Sequence, residues 1–313
     1  MIVEPPAVVD VPDTAAKPRL SPETDRVRQA PTPSVFNQRV AVILSGRQPA
    51  YENVARKLET MLGDYSVYDL SDRSQPVRSV FRSVADEQAT AVVAIGLRAA
   101  LSARALSQVP VVFCQVFNVA DNDLITDRVR GVASLPPLDL QFRAWKELDP
   151  GLRHVGAIIG PGHESLIDEA SRAATESGLQ LHIRVAASDK ETLYIFNRLV
   201  RDVDGFLLFP DNRILSHGVL DEMLSGATRH RVQMAVFNDS LLSMGATLSA
   251  SAVDTDVAAT IVRVLDSIGN RELDALPAVT PLSSIEIRTN KEVVQQFGLG
   301  GDAAAQDTIA GAM

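Results

Sequence analysis

Short apolar runs alternate with longer amphipathic stretches along most of the chain, and the alternation begins abruptly after residue 38. VAVILSG at 40–46 is almost continuously apolar up to Ser45, the pattern of a parallel strand covered on both faces. In the next segment, 50–62, Tyr51, Val54, Ala55, Leu58, Met61 and Leu62 recur at helical spacing, and 65–70 reads as a second strand. The alternation continues with a helix at 81–88, a strand at 90–96, a helix at 97–107 and an apolar run at 110–117. A short strand at 131–134 and an amphipathic helix at 138–148 complete the series, and Asp149, Pro150 and Gly151 stop that helix.

A second series repeats the first. Val155 to Ile159 form a short strand that Gly160, Pro161 and Gly162 terminate, and a helix at 164–177 follows with Leu166, Ile167, Ala170, Ala173 and Ala174 on one side. Further strands are expected at 179–185, 204–209, 232–237 and 246–251, with helices at 189–201 and 214–228 between them. A helix at 254–267, an extended segment at 277–290 and a terminal helix at 291–299 close the pattern. Strands alternating with helices of this length predict an α/β protein built on doubly wound parallel sheets with right-handed crossovers. The proline-rich segment 1–34 is expected to be a disordered leader, and 300–313, with few anchoring groups, a flexible tail.

Length and charge narrow the function classes. A chain of 313 residues is expected to hold two domains of ordinary size, and a formal charge of −9 leaves no general attraction for nucleic acid or an anionic membrane surface. Small-molecule or protein partners are favoured. The single cysteine excludes an internal disulfide framework and suits a reducing cytoplasm as well as an exported protein, so on this count the compartment stays open; Cys114 lies in an apolar strand where it acts as a small hydrophobe. The five histidines show no metal-ligand spacing, so no metal or other cofactor is expected. No apolar run reaches the roughly 18 residues needed to span a bilayer, and the N-terminus lacks the basic region and apolar core of a signal peptide.

Several phrases in order resemble the ABC-transporter substrate-binding proteins of the periplasmic-binding-protein type I class, specifically the family that includes aromatic-amino-acid binders. They are the join from GVAS through the helix to LDPGLRHVGAIIGP, the segment VDGFLLFPDN, the turn VFNDS, and the closing IRTNKEVVQQFGL with Asn290 and Gly298; the resemblance covers about 40–299. It implies two similar α/β lobes joined by three crossovers, with residues 35–150 and 253–272 in lobe I and residues 151–252 and 273–299 in lobe II. A ligand would then be enclosed by hinge closure. The implied function is to bind a small polar, amino-acid-like solute in the periplasm, or on a membrane-anchored extracytoplasmic protein, and deliver it to an ABC permease. A membrane receptor is the alternative partner if the fold serves ligand sensing or protein interaction, and a two-domain transferase is a third possibility. The chain departs from the family's wording at GPGHES, at Phe117 and Asn118, and at SGRQPAYE.

Under this layout the turns after the strands face the cleft. Lobe I contributes Ser45, Gly46, Arg47 and Gln48 after its first strand, Gly96 and Arg98 after its third, and Phe117 and Asn118 after its fourth. Arg47 or Arg98 would receive a ligand carboxylate as a two-pronged donor, or simply be solvated. Lobe II contributes Gly162, His163 and Ser165, whose turn opens a helix, then Asp211, Asn212, Asn238 and Asp239. Asp211 either caps the next helix or meets a ligand ammonium, and Asn238 and Asp239 carry the same ambiguity between turn and ligand. Tyr51, Phe117 and Phe237 are candidate apolar walls, and Trp145 a packing anchor. GPGHES is not a dinucleotide fingerprint, because Ser165 replaces the third glycine and no acidic residue closes the strand at Val185. No catalytic set converges, and the chain is read as a binding protein, not an enzyme.

Overall fold

The computed structural model describes residues 39–270, 272 and 275–300, together with the backbone of 307–310; the leader expected at 1–34 lies outside the described residues. The first series forms β1 (Arg39–Leu44), α1 (Pro49–Glu59), β2 (Asp64–Asp69), α2 (Val77–Asp86), β3 (Ala91–Ile95), α3 (Leu97–Leu106), β4 (Val111–Cys114) and β5 (Val129–Val132). After α4 (Leu138–Leu148) the second series follows as β6 (His154–Ile159), α5 (Glu164–Glu176), β7 (Gln180–Val185), α6 (Asp189–Leu199), β8 (Gly205–Leu208), α7 (His217–His230), β9 (Gln233–Val236) and β10 (Leu248–Ala252). The chain ends in α8 (Asp254–Gly269), β11 (Val279–Thr280), β12 (Ser284–Thr289), α9 (Lys291–Phe297) and β13 (Asp307–Ala310).

These strands make two sheets, one of six strands in the order β11-β5-β4-β3-β1-β2 and one of seven in the order β13-β12-β10-β9-β8-β6-β7. The first is parallel throughout; the second is parallel except for β12 and β13, which run antiparallel at its edge. The two-fold alternation of β1 explains its unbroken apolar run. Val40, Val42 and Leu44 face the core under α1 and α8, while Ala41 and Ile43 face the core under α2 and α3. In the second sheet Val155, Ala157 and Ile159 face α4 and α5, and Ile158 faces α6 and α7. Among the described residues no helix is long and apolar enough to cross a membrane.

The chain crosses between the sheets three times, and two of the crossings differ from the sequence expectation. Helix α4 packs on the second sheet, with Phe142 and Trp145 fully buried beside Val155 and Ala157, so the first crossing lies in the segment 133–137 and not at 149–151. Trp145 is anchored further by its indole N–H, which donates to Gln233 Oε1 at 2.8 Å. The extended segment 277–290 is two strands. Val279 and Thr280 pair with Gly131 and Val132 of the first sheet, which moves the third crossing from 273 to the residues between β11 and β12. The second crossing follows β10, and α8 returns to the α1 face of the first sheet. In the tail, 307–310 add to β12 as an antiparallel edge strand, where fraying was expected.

Candidate functional site

The C-terminal ends of the parallel strands of both sheets open onto one cleft of about 570 Å³, a size suited to a metabolite. The turns after β1, β3, β4 and β5 line it from the first lobe, and those after β8, β9 and β10 from the second. The crossing segments form the back wall, through Ser134, Ser251, Asp254 and Glu286. At the end of β4, Gln115 has φ 56°, a left-handed conformation that a residue with a side chain adopts only under constraint, and the turned chain presents Phe117 and Asn118 to the other lobe. Phe117 lies against the second lobe, its ring centroid 4.6 Å from that of His163 and 6.3 Å from that of Phe209.

Behind this wall a polar network joins the lobes. Asp211 is fully buried and accepts from Gly160 N at 2.9 Å, from Arg213 Nε at 2.8 Å and from Arg213 Nη2 at 2.6 Å. Arg213 also donates to Pro161 O at 3.0 Å and reaches across the cleft to an ion pair with Asp121. Asn118 crosses in the opposite direction, its Nδ2 donating to Asp211 Oδ1 at 3.5 Å and to Asn212 Oδ1 at 3.3 Å. The carboxylate can only accept, which fixes the amide orientation and turns Asn118 Oδ1 towards His163 Nε2, 3.0 Å away; His163 therefore carries its proton on Nε2. Burial pushes the His163 imidazole below its ordinary pKa against the opposing pull of Asp211 and Glu164, so it is neutral at pH 7.

A second charge group occupies the back wall. Arg288 pairs with Asp239 at 2.9 Å and donates to Glu286 Oε1 from Nη2 at 2.7 Å and from Nε at 3.1 Å. Ser249 adds a hydroxyl donor to Asp239. Asp254, the first residue of α8, has its carboxyl held above the usual range by burial, with Glu286 adding to the rise and a hydrogen bond from Asn53 opposing it.

Of the residues expected at the site, Gln48, Phe117, Asn118, Asn212, Asn238 and Asp239 line the cleft, as do the candidate walls Tyr51 and Phe237. Asp211 and His163 stand behind the lining, committed to the network between the lobes. Asp211 does not cap α7; Ser216 does, accepting from Val219 N at 3.4 Å. Ser45 and Gly96 support the wall: Ser45 Oγ accepts from Ala99 N at 2.9 Å, and Gly96 has φ 87° with Ser45 Oγ and Tyr51 each 2.7 Å from where a Cβ would stand. Gly162, at φ 83°, makes the turn that approaches Asp121.

The remaining four lie outside the lining. Arg47 is paired with Asp69 at 2.9 Å, Arg98 and Ser165 are exposed, and Gly46 sits beside Ser71. Sequence reading missed Arg213, Asp254, Glu286 and Arg288. A signal for the last two was present: on β12 Glu286 and Arg288 alternate with the buried Ile285 and Ile287 and so share one face. Cys114 is fully buried and burial pushes its thiol upward, as suits a packing residue. Among the described residues no cluster of three or more His, Cys, Asp or Glu could hold a metal.

Comparison with known proteins places this architecture. A domain from Streptococcus pneumonia solved in complex with L-Trp superposes with a TM-score of 0.59 at 16 % identity, over 85 % of this chain and 97 % of that one. A ligand-free, open substrate-binding protein with adhesive properties from Clostridium difficile gives 0.63 at 14 % identity, over 85 % and 96 %. A conserved domain protein from Vibrio cholerae gives 0.57 at 18 % identity, over 85 % and 96 %. At these identities the likeness is one of fold, that of the type I periplasmic binding proteins. No curated protein matches the chain in sequence. The family model for "ABC transporter substrate binding protein" matches residues 65–299, most of the chain, and the protein therefore belongs to that family.

Proposed function

We propose that the protein binds a small, polar, amino-acid-like solute between its lobes and presents the closed complex to an ABC permease on the extracytoplasmic side of a membrane. The observation that carries this reading is the cleft itself. It is bounded by strand-end turns of both lobes and backed by the segments on which the lobes would hinge. A ligand that touches both lobes and the crossing segments favours the closed arrangement by the difference in its contacts between the two states, and that difference is the signal a permease reads. Its lining contains amides, hydroxyls and carboxylates but no cysteine, histidine or lysine among the described residues, a composition that suits recognition more than covalent chemistry.

The family membership supports a transport role, and the L-Trp held by the Streptococcus pneumonia domain supports an amino-acid-like ligand. Calorimetric titration with amino acids and small metabolites, paired with small-angle scattering, tests the proposal. A saturable binder that shrinks the radius of gyration is the expected result. A panel without any binder and without compaction would sink it.

A further inference from the structure

Building on the solute-binding reading, we propose that the ligand is a net cation, an amine carrying more positive than negative charge, held between the carboxylates of the back wall and the aromatic side chains that line the cleft. Three carboxylates, Asp239, Asp254 and Glu286, line the cleft against one guanidinium, Arg288. That guanidinium is already committed, with Asp239 on one side at 2.9 Å and Glu286 on the other at 2.7 Å. The triad therefore keeps one negative charge after its internal pairing, and Asp254 adds another. The neighbouring guanidiniums do not redress the balance: Arg213 is held by Asp211 and Asp121, and Arg47 by Asp69 outside the lining.

A ligand carboxylate would thus enter a negative field with no uncommitted guanidinium to receive it. An ammonium meets the opposite situation. Asp254 and Glu286 repel each other across the crossing segments, and Asp254 has the Asn53 amide as its near partner; Lys57 and Arg56 of α1 act on it more weakly and do not line the cleft. A cation placed there relieves that repulsion while joining α8, which belongs to the first lobe, to β12, which belongs to the second. Charge recognition and closure are then the same event. Tyr51, Phe117 and Phe237 supply ring surface for the amine and its carbon chain, the pairing of aromatic faces with acids that suits alkylammonium groups.

The test is calorimetric titration of the full chain with lysine, agmatine and choline as cations, leucine and tryptophan as zwitterions, and glutamate and succinate as anions, with scattering for closure. At least one cation should bind more tightly than every zwitterion and anion by about tenfold, and its affinity should fall with added salt. Asp254→Asn should weaken that cation by about tenfold or more, while Arg98→Ala, an exposed position outside the cleft, should not change it. Glu286→Gln should weaken the cation and, by freeing one side of Arg288, strengthen zwitterions. The salt dependence is read on the unaltered protein and so does not depend on either variant folding. A zwitterion or anion that binds best and closes the lobes would overturn the cationic class and leave the solute-binding reading standing. Absence of binding and compaction across the whole panel would remove both.

Discussion

Asp211 shows how one side chain changes meaning with its surroundings. As a polar residue after a buried strand it fits a helix cap or a ligand partner equally well, yet it is fully buried and its carboxylate is occupied by Arg213 and Gly160 N. The same network makes His163 a titratable element between the lobes. Its folded pKa is lowered by burial, while in the unfolded chain it titrates at about 6.5, so between those values the unfolded state binds more protons and stability declines as pH falls. His163→Gln removes that titration. Denaturant unfolding of both proteins from pH 8 to pH 5 should show their stability difference greatest at pH 8 and shrinking with acidification; a constant difference would mean that His163 does not titrate in the network.

At the scale of elements, the crossings are held by contacts that no single helix or strand contains. Asp256 on α8 accepts from Ser283 N at 2.8 Å, Ser284 N at 2.8 Å, Ser283 Oγ at 2.9 Å and Ser284 Oγ at 2.9 Å, pinning the third crossing to the helix that follows the second. Burial pushes the Asp256 carboxyl upward, but these four bonds outweigh it and leave the folded pKa below the ordinary value. The stabilisation is therefore present above the unfolded carboxyl pKa of about 3.9 and lost as pH falls through the folded one. Asp256→Asn should cost about 1–3 kcal/mol at pH 7, measured by urea unfolding, with the difference closing in acid. A variant as stable as the parent at pH 7 would show that the crossing is held elsewhere.

For the molecule as a whole, the solute-binding proposal makes the equilibrium between open and closed lobes the relevant one, and bonds within the protein already join the lobes without a ligand. The Asp121–Arg213 pair and the bonds from Asn118 join the lobes directly. Asp121→Ala removes a partly exposed pair worth up to about 1 kcal/mol, about fivefold in the closed-to-open ratio. The unliganded variant should therefore scatter as a more extended particle, and any ligand should bind it more weakly by up to the same factor, because less of the protein is poised to receive it. An unchanged radius of gyration would show that Asp121 contributes nothing to holding the lobes together. If the ligand is the cation proposed above, it acts at the opposite wall, so its binding and the loss of Asp121 should each shift the equilibrium without sharing a residue.

Local pattern determined the helices, the strands other than β11 and β13, and their grouping into two series, because periodicity, glycine and proline act over a few residues and mean the same wherever the segment ends up. Six of the residues proposed for the site, Gln48, Phe117, Asn118, Asn212, Asn238 and Asp239, line the cleft between the sheets. Which sheet received α4 and β11 was decided by packing and pairing between segments far apart in the chain, as with Val279 beside Gly131. The charge of the site was decided the same way. Arg213 and Asp121 are 92 residues apart, and Arg288 meets Asp239 only because β12 folds back beside β10. A polar residue's neighbours in sequence are the same whether it caps a helix, pairs across a cleft or receives a ligand; the distinction exists only once distant segments have been brought together.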